Sequence, residues 1–146
     1  MGAKLGAKVG GFKAFVAYSQ QSEADSAANA INKVTLSPWG GMPAFTQGMV
    51  TRHMFLAGTN ASKIAGSYTF KEFGLDLTTT LYYVEFEIDE YSGYGSARTA
   101  REPGFDIQYY PTLVKNLHLR LRGNFPTEFG DNRDWNEYRF IANYSF

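Results

Sequence analysis

The chain closes on Asn136-Glu137-Tyr138-Arg139-Phe140-Ile141-Ala142-Asn143-Tyr144-Ser145-Phe146. Successive side chains of an extended strand point to opposite faces. Tyr138, Phe140, Ala142, Tyr144 and Phe146 therefore share one side, and Glu137, Arg139, Asn143 and Ser145 share the other. A terminal strand with an aromatic stripe opposite charge suits a wall between lipid and water better than a strand inside a soluble core. That expectation constrains how everything upstream can fold.

At 146 residues the chain is at most one domain. Aromatics make up 16 % of it, with ten Tyr and twelve Phe, and Cys is absent, which suits an exported bacterial protein relying on neither disulfides nor thiolate metal sites. A formal net charge of zero and a pI near 6.7 argue against nucleic acid as a partner. No apolar run reaches the roughly 18 residues of a transmembrane helix. A β-barrel stays open, because alternating faces leave its mean hydropathy near that of a soluble protein, here −0.32. An export signal is expected at the start of such a protein, yet Met1-Gly2-Ala3-Lys4-Leu5-Gly6-Ala7-Lys8-Val9 already alternates like a barrel strand, so an amino-terminally truncated piece is expected.

Alternation predicts about seven strands. Residues 3 to 9 set Ala3, Leu5, Ala7 and Val9 against Lys4, Gly6 and Lys8, and Gly10-Gly11 makes a tight turn. Residues 12 to 20 set Ala14, Val16 and Tyr18 against Lys13, Ala17 and Ser19, with Phe15 as an apolar exception. Residues 62 to 72 set Ile64, Gly66, Tyr68 and Phe70 against Lys63, Ser67, Thr69 and Lys71. In residues 75 to 88 the apolar positions change phase, from Leu77, Leu81 and Tyr83 to Val84, Phe86 and Ile88, which predicts a β-bulge near Tyr83 or Val84. Residues 104 to 110 set Phe105, Ile107 and Tyr109 against Asp106 and Gln108; residues 115 to 125 set Leu117, Leu119, Leu121 and Phe125 against His118, Arg120, Arg122 and Asn124.

The connections alternate between two classes. Short turns fall at 10 to 11, 73 to 76 and 111 to 114, whereas the gaps at 21 to 61, 89 to 103 and 126 to 135 are long and polar. Outer-membrane barrels have short periplasmic turns and longer extracellular loops, which places the carboxy terminus at the periplasmic rim. The parity holds only if Met49 to Leu56 belongs to the first long loop, as a local hairpin at most. An odd strand count cannot close a bacterial single-chain barrel, so further strands are expected to complete it.

Phe105-Asp106-Ile107-Gln108-Tyr109-Tyr110, Leu117-His118-Leu119-Arg120-Leu121-Arg122-Gly123-Asn124 and Glu137-Tyr138-Arg139-Phe140-Ile141-Ala142-Asn143-Tyr144 follow one another in an order and spacing that resemble the carboxy-terminal strands of the OprD family of outer-membrane porins. Pro43-Ala44-Phe45-Thr46-Gln47 and Tyr68-Thr69-Phe70-Lys71-Glu72-Phe73-Gly74-Leu75 look like that family too, so the resemblance covers residues 12 to 146. It implies an antiparallel transmembrane β-barrel of roughly 18 strands, of which residues 1 to 146 form the carboxy-terminal segment. The implied setting is the Gram-negative outer membrane, with membrane lipid and small polar solutes or ions as partners and no cofactor. The terminal Phe146 resembles the signal read by the barrel-assembly machinery.

The resemblance also implies a ladder of basic side chains along the lumen, matched by Arg120, Arg122 and Arg139. Alternation alone puts these three on the polar face, where an arginine escapes the roughly 2 to 4 kcal/mol it costs on a lipid face at mid-membrane. Rings of charge select ions. Pairing with Asp106 and Glu137 merely to stiffen a hydrated wall is the plainer role for the same arginines. Lys63 is a further pore-lining candidate, with Lys4, Lys8 and Lys13 weaker ones, and His118 reads as a polar residue of the same face. Loop 21 to 61 exceeds the length of a passive connector, and Trp39 and Phe45 are candidates for a constriction folded into the pore mouth, with a surface cap as the alternative.

Catalysis finds no support. His53 and His118 lie on different elements without metal-ligand spacing, and neither Gly6-Ala7-Lys8 nor Gly93-Tyr94-Gly95-Ser96 has the context of a phosphate loop. Glu85, Glu87, Asp89, Glu90 and Glu102 read as an acidic pore rim. The competing fold is a soluble, lipocalin-like ligand-binding β-barrel, which would turn Leu117, Leu119 and Leu121 inward and expose Arg120 and Arg122. A third possibility is a small structural barrel of about eight strands that counts residues 49 to 58 as one of them; it breaks the loop parity.

Overall fold

In the computed structural model, which describes residues 1–23, 25–26, 45–51, 53–92, 96–130 and 135–146, the chain forms one antiparallel sheet. Its strands are β1 (Gly2–Val9), β2 (Phe12–Gln20), β3 (Asn60–Thr69), β4 (Leu77–Ile88), β5 (Arg98–Tyr109), β6 (Leu117–Asn124) and β7 (Glu137–Tyr144). Each pairs with its neighbours in sequence, in the order β1 to β7, and the sheet is not closed.

The short connections are built by turn chemistry. Gly10 has φ +54°, the left-handed region that side chains disfavour, and a Cβ on Gly11 would come within 2.6 Å of the Thr69 carbonyl. Between β3 and β4 the chain makes a 3₁₀ turn at Lys71–Phe73 closed by Gly74, and between β5 and β6 it turns through 110 to 116. The longer connections leave and re-enter the sheet at the opposite ends of the strands.

The registers divide the sheet into two faces. Val9, Phe12, Tyr68, Thr79, Ile107, Leu121 and Phe140 stand side by side in one row across all seven strands. The row above it on the same face is Ala7, Ala14, Gly66, Leu81, Phe105, Gly123 and Tyr138. Many of these side chains are open: Val9 is 77 %, Leu81 63 % and Phe140 70 % exposed. The rows shift steadily along the sheet, so that the head of β7, Glu137, meets the row of Gly6 rather than Gly2. A stagger of this kind accompanies tilted strands in barrel walls.

Several expectations are corrected. No bulge exists at Tyr83 or Val84, because β4 pairs residue for residue with β3 from Thr78 to Glu87 and with β5 from Leu77 to Ile88. The apolar phase changes for another reason: Val84, Phe86 and Ile88 share the face of Tyr82, opposite Leu81 and Tyr83, and are buried there beneath a loop. Met54, Ala61, Ala65, Ala100 and Phe129 complete that core, with Phe15, Met49 and Phe55 packed against it. The gap at 89 to 103 is shorter than expected, since β5 begins at Arg98 and runs through Pro103. Pro103 is tolerated because β6 ends opposite Gly104; there its carbonyl accepts from the Phe125 amide at 3.0 Å and the missing N–H removes one bond at most. The described residues of the stretch Met49 to Leu56, where a local hairpin is the most that is expected, form no strand and include a 3₁₀ turn at His53–Phe55.

Candidate functional site

The second face carries the charge. Lys8, Lys13, Ser67, Thr80, Asp106, Arg122 and Arg139 are consecutive register partners, forming one polar row across all seven strands. Lys8 stands directly opposite Lys13, and Arg122 directly opposite Arg139. Like charges placed opposite one another disfavour strand pairing. Two such pairs in one row are a concentration of positive charge that folding alone would not select.

Other polar residues flank this row on the same face. Arg120 sits one row nearer the short turns, level with Gln108, and grips Asp106 through two hydrogen bonds of 2.6 Å, from Nε and Nη2. Glu137 and Arg139, two apart on β7, form an ion pair. No carboxylate among the described residues forms an ion pair with Arg122; its Nε lies 3.1 Å from the Met49 sulfur. His118 lies nearest the short turns, stacked on Tyr110 with ring centroids 4.4 Å apart. Lys4 rests over the Phe15 ring at 3.9 Å, which accounts for the apolar exception in β2.

Lys63 belongs to a different environment. Its Nζ donates to the Gln47 carbonyl at 2.6 Å and lies over the Tyr82 ring at 4.9 Å, so it anchors the first long connection. Residues 45 to 51 of that connection cross the charged face from β1 to β6. Phe45 sits against Gly2, where a Cβ would come 3.3 Å from its ring, and the Thr46 hydroxyl meets that of Ser19 at 2.6 Å. Trp39 lies outside the described residues.

The strongest anchor is Glu102, wholly buried on β5. Its Oε1 accepts from the Met49 amide at 2.7 Å and from the Tyr82 hydroxyl; its Oε2 accepts from the Thr51 amide at 3.0 Å and the Thr51 hydroxyl at 2.5 Å. The Tyr82 hydroxyl also meets the side-chain carbonyl of Asn124 at 2.9 Å. A buried carboxylate is tolerable when donors replace its water, and here they do. Nearby, His53 packs 4.4 Å from the Phe129 ring and 5.7 Å from that of Phe86. Burial holds its imidazole down to about 4, against an opposing pull from Glu102.

The acidic rim expected from Glu85, Glu87, Asp89, Glu90 and Glu102 does not assemble. Glu85 and Glu87 lie on the apolar face's side of β4, where Glu85 is bound by Arg101 at 3.0 Å, while Glu102 turns to the other side. Sequence reasoning missed the role of Glu102 because it and its neighbours Arg101 and Pro103 fall in the gap at 89 to 103 that read as loop. The signal available was its place two residues before Gly104 and four before Asp106, in phase with the charged face.

Among the described residues no group of three or more His, Asp or Glu could hold a metal ion. Among the described residues no helix is long and apolar enough to cross a membrane, which says nothing of strands. Compared with family models, with curated proteins and with solved structures, the chain matches none.

Proposed function

We propose that the chain is part of the wall of an outer-membrane β-barrel channel of the OprD type, with its apolar face toward lipid and its charged face lining a water-filled passage for ions and small polar solutes. The observation that carries this reading is the separation of the two faces. Rows of open Leu, Val, Ile, Phe and Tyr run the width of the sheet on one side, and the Lys8 to Arg139 row spans the same strands on the other. In water so wide an exposed apolar surface is unfavourable; in a bilayer it is the surface required.

The charged row supplies the chemistry of guidance. Lys8, Lys13, Arg122 and Arg139 give it an excess of positive charge over Asp106, so it favours anions and carboxylate-bearing solutes. The soluble ligand-binding barrel fits less well, because the loop and its apolar core cover the face with the lysines and arginines and leave Leu119 and Leu121 without a covering element.

A quenching experiment separates the two. A fluorophore attached at position 81 or 121 of the chain in lipid vesicles should be quenched by a lipid-phase agent and spared by iodide, and one at position 120 the reverse. The opposite pattern, or no association with vesicles, excludes the channel reading.

A further inference from the structure

We propose that Glu102 is a positioning residue of the channel: its carboxylate holds Met49 to Thr51 over the charged row, so that the loop, and not the strand wall alone, governs access to Arg122. The idea rests on the channel reading only for its consequence for solutes; the attachment itself is a matter of local chemistry. Four donors from one short stretch, the amides of Met49, Val50 and Thr51 and the Thr51 hydroxyl, converge on the two oxygens of a single carboxylate that water does not reach. Charge-assisted bonds of this kind are about twice as strong as neutral ones.

The loop is shaped around that group. Gly48 lies so close to Glu102 that a Cβ there would overlap both the carboxylate and the Thr51 hydroxyl, so only glycine permits the approach. Tyr82 fixes the carboxylate from the other side. Single bonds from Lys63 to Gln47 and between Ser19 and Thr46 add to this among the described residues. Once the amides are held, Met49 lies against the Arg122 guanidinium and covers the one arginine of the row for which no carboxylate forms an ion pair among the described residues.

Glu102→Gln keeps the shape and removes the function. One side of the new amide is a donor, and whichever way it turns it would face the backbone N–H of Met49 or of Thr51, which can only donate. The chain contains no Cys, so a thiol introduced by Arg122→Cys reports access cleanly. The test uses the full chain in lipid vesicles, with amide exchange at Met49 and Thr51 and the reaction of the position-122 thiol with a small and a bulky water-soluble reagent.

The expected result of Glu102→Gln is exchange faster by roughly tenfold at both amides, as for loss of a hydrogen bond to a charged group, together with entry of the bulky reagent. Thr51→Val, which leaves β5 intact, should give a smaller rise in exchange. Oxidising Ser19→Cys with Thr46→Cys, whose native oxygens are 2.6 Å apart, should restore exclusion in the Glu102→Gln background. Unchanged exchange in both Glu102→Gln and Thr51→Val overturns the proposal, as does faster exchange with the thiol still shielded. If even the small reagent fails to reach position 122 with Glu102 intact while it reaches Leu121→Cys, the channel reading fails, and exchange still decides the attachment.

Discussion

Asp106 stands directly opposite Arg122 in the β5–β6 ladder, yet it is Arg120, one row away on the same strand, that binds it through two 2.6 Å hydrogen bonds. The diagonal grip divides the work between two arginines that look equivalent in Leu-Arg-Leu-Arg. Arg120 is committed to a buried carboxylate. Arg122 forms no such pair among the described residues, and its Nε lies against the Met49 sulfur.

The two charge reversals should therefore differ. If the charged face lines a channel, as proposed, Arg122→Glu should shift its selectivity toward cations without loss of folding, whereas Arg120→Glu should destabilise by about 2 to 3 kcal/mol, because it breaks a charge-assisted pair and sets two carboxylates together. Reversal potential in a salt gradient reads the first effect, and heat-modifiable gel mobility the second. Equal effects on both readouts would mean that the diagonal pairing has no functional weight.

The apolar face is tested by Leu119→Arg. Leu119 sits between Tyr109 and Ala142, so its replacement would place charge among aromatic and aliphatic side chains. If this face meets hydrocarbon near mid-membrane, the cost is about 2 to 4 kcal/mol. Urea titration of the chain in vesicles measures it, and a neutral result alongside failed folding of Arg122→Glu would indicate inverted faces.

Much of the fold was legible because alternation is direct: seven strands, their sequential order and the two classes of connection all follow from period-two patterning and turn residues. What escaped was any feature produced by the loop. Alternation says that a residue is apolar, not which surface made it so; Val84, Phe86 and Ile88 are apolar because residues such as Met54 cover them, and the same pattern in the absence of a cover means a bulge. Glu102 was hidden for a related reason. Its donors are backbone amides of Met49 and Thr51, and backbone groups leave no mark in the sequence.

Acidification should loosen the loop through His53. Its imidazole titrates near 6.5 when free and is held to about 4 in the fold by burial. Above about pH 6.5 both forms are neutral, and the group adds no pH dependence. As pH falls from there toward 4 the opened loop takes up a proton that the packed loop excludes, so packing weakens through that window. Exchange at the Leu56 amide, which donates to the His53 carbonyl at 2.9 Å, should accelerate accordingly. His53→Phe should remove this component; an unchanged pH profile would place its origin elsewhere.

The chain by itself should not form a uniform channel, because of the direction of its edges. Every neighbouring pair is antiparallel, so β1 and β7, which both have a free side, run the same way. Joining β7 of one copy to β1 of another in the same membrane orientation would make a parallel seam. An antiparallel seam between copies requires one to be inverted, with its long connections at the opposite surface. An unpaired edge in lipid leaves backbone groups unsatisfied at several kcal/mol each, so closure needs a complementary stretch with an odd number of strands running opposite at both ends. Planar-bilayer recording of the refolded chain should show no reproducible unit conductance, and addition of such a complementary stretch should produce it. Uniform, discrete openings from the chain alone would overturn this argument.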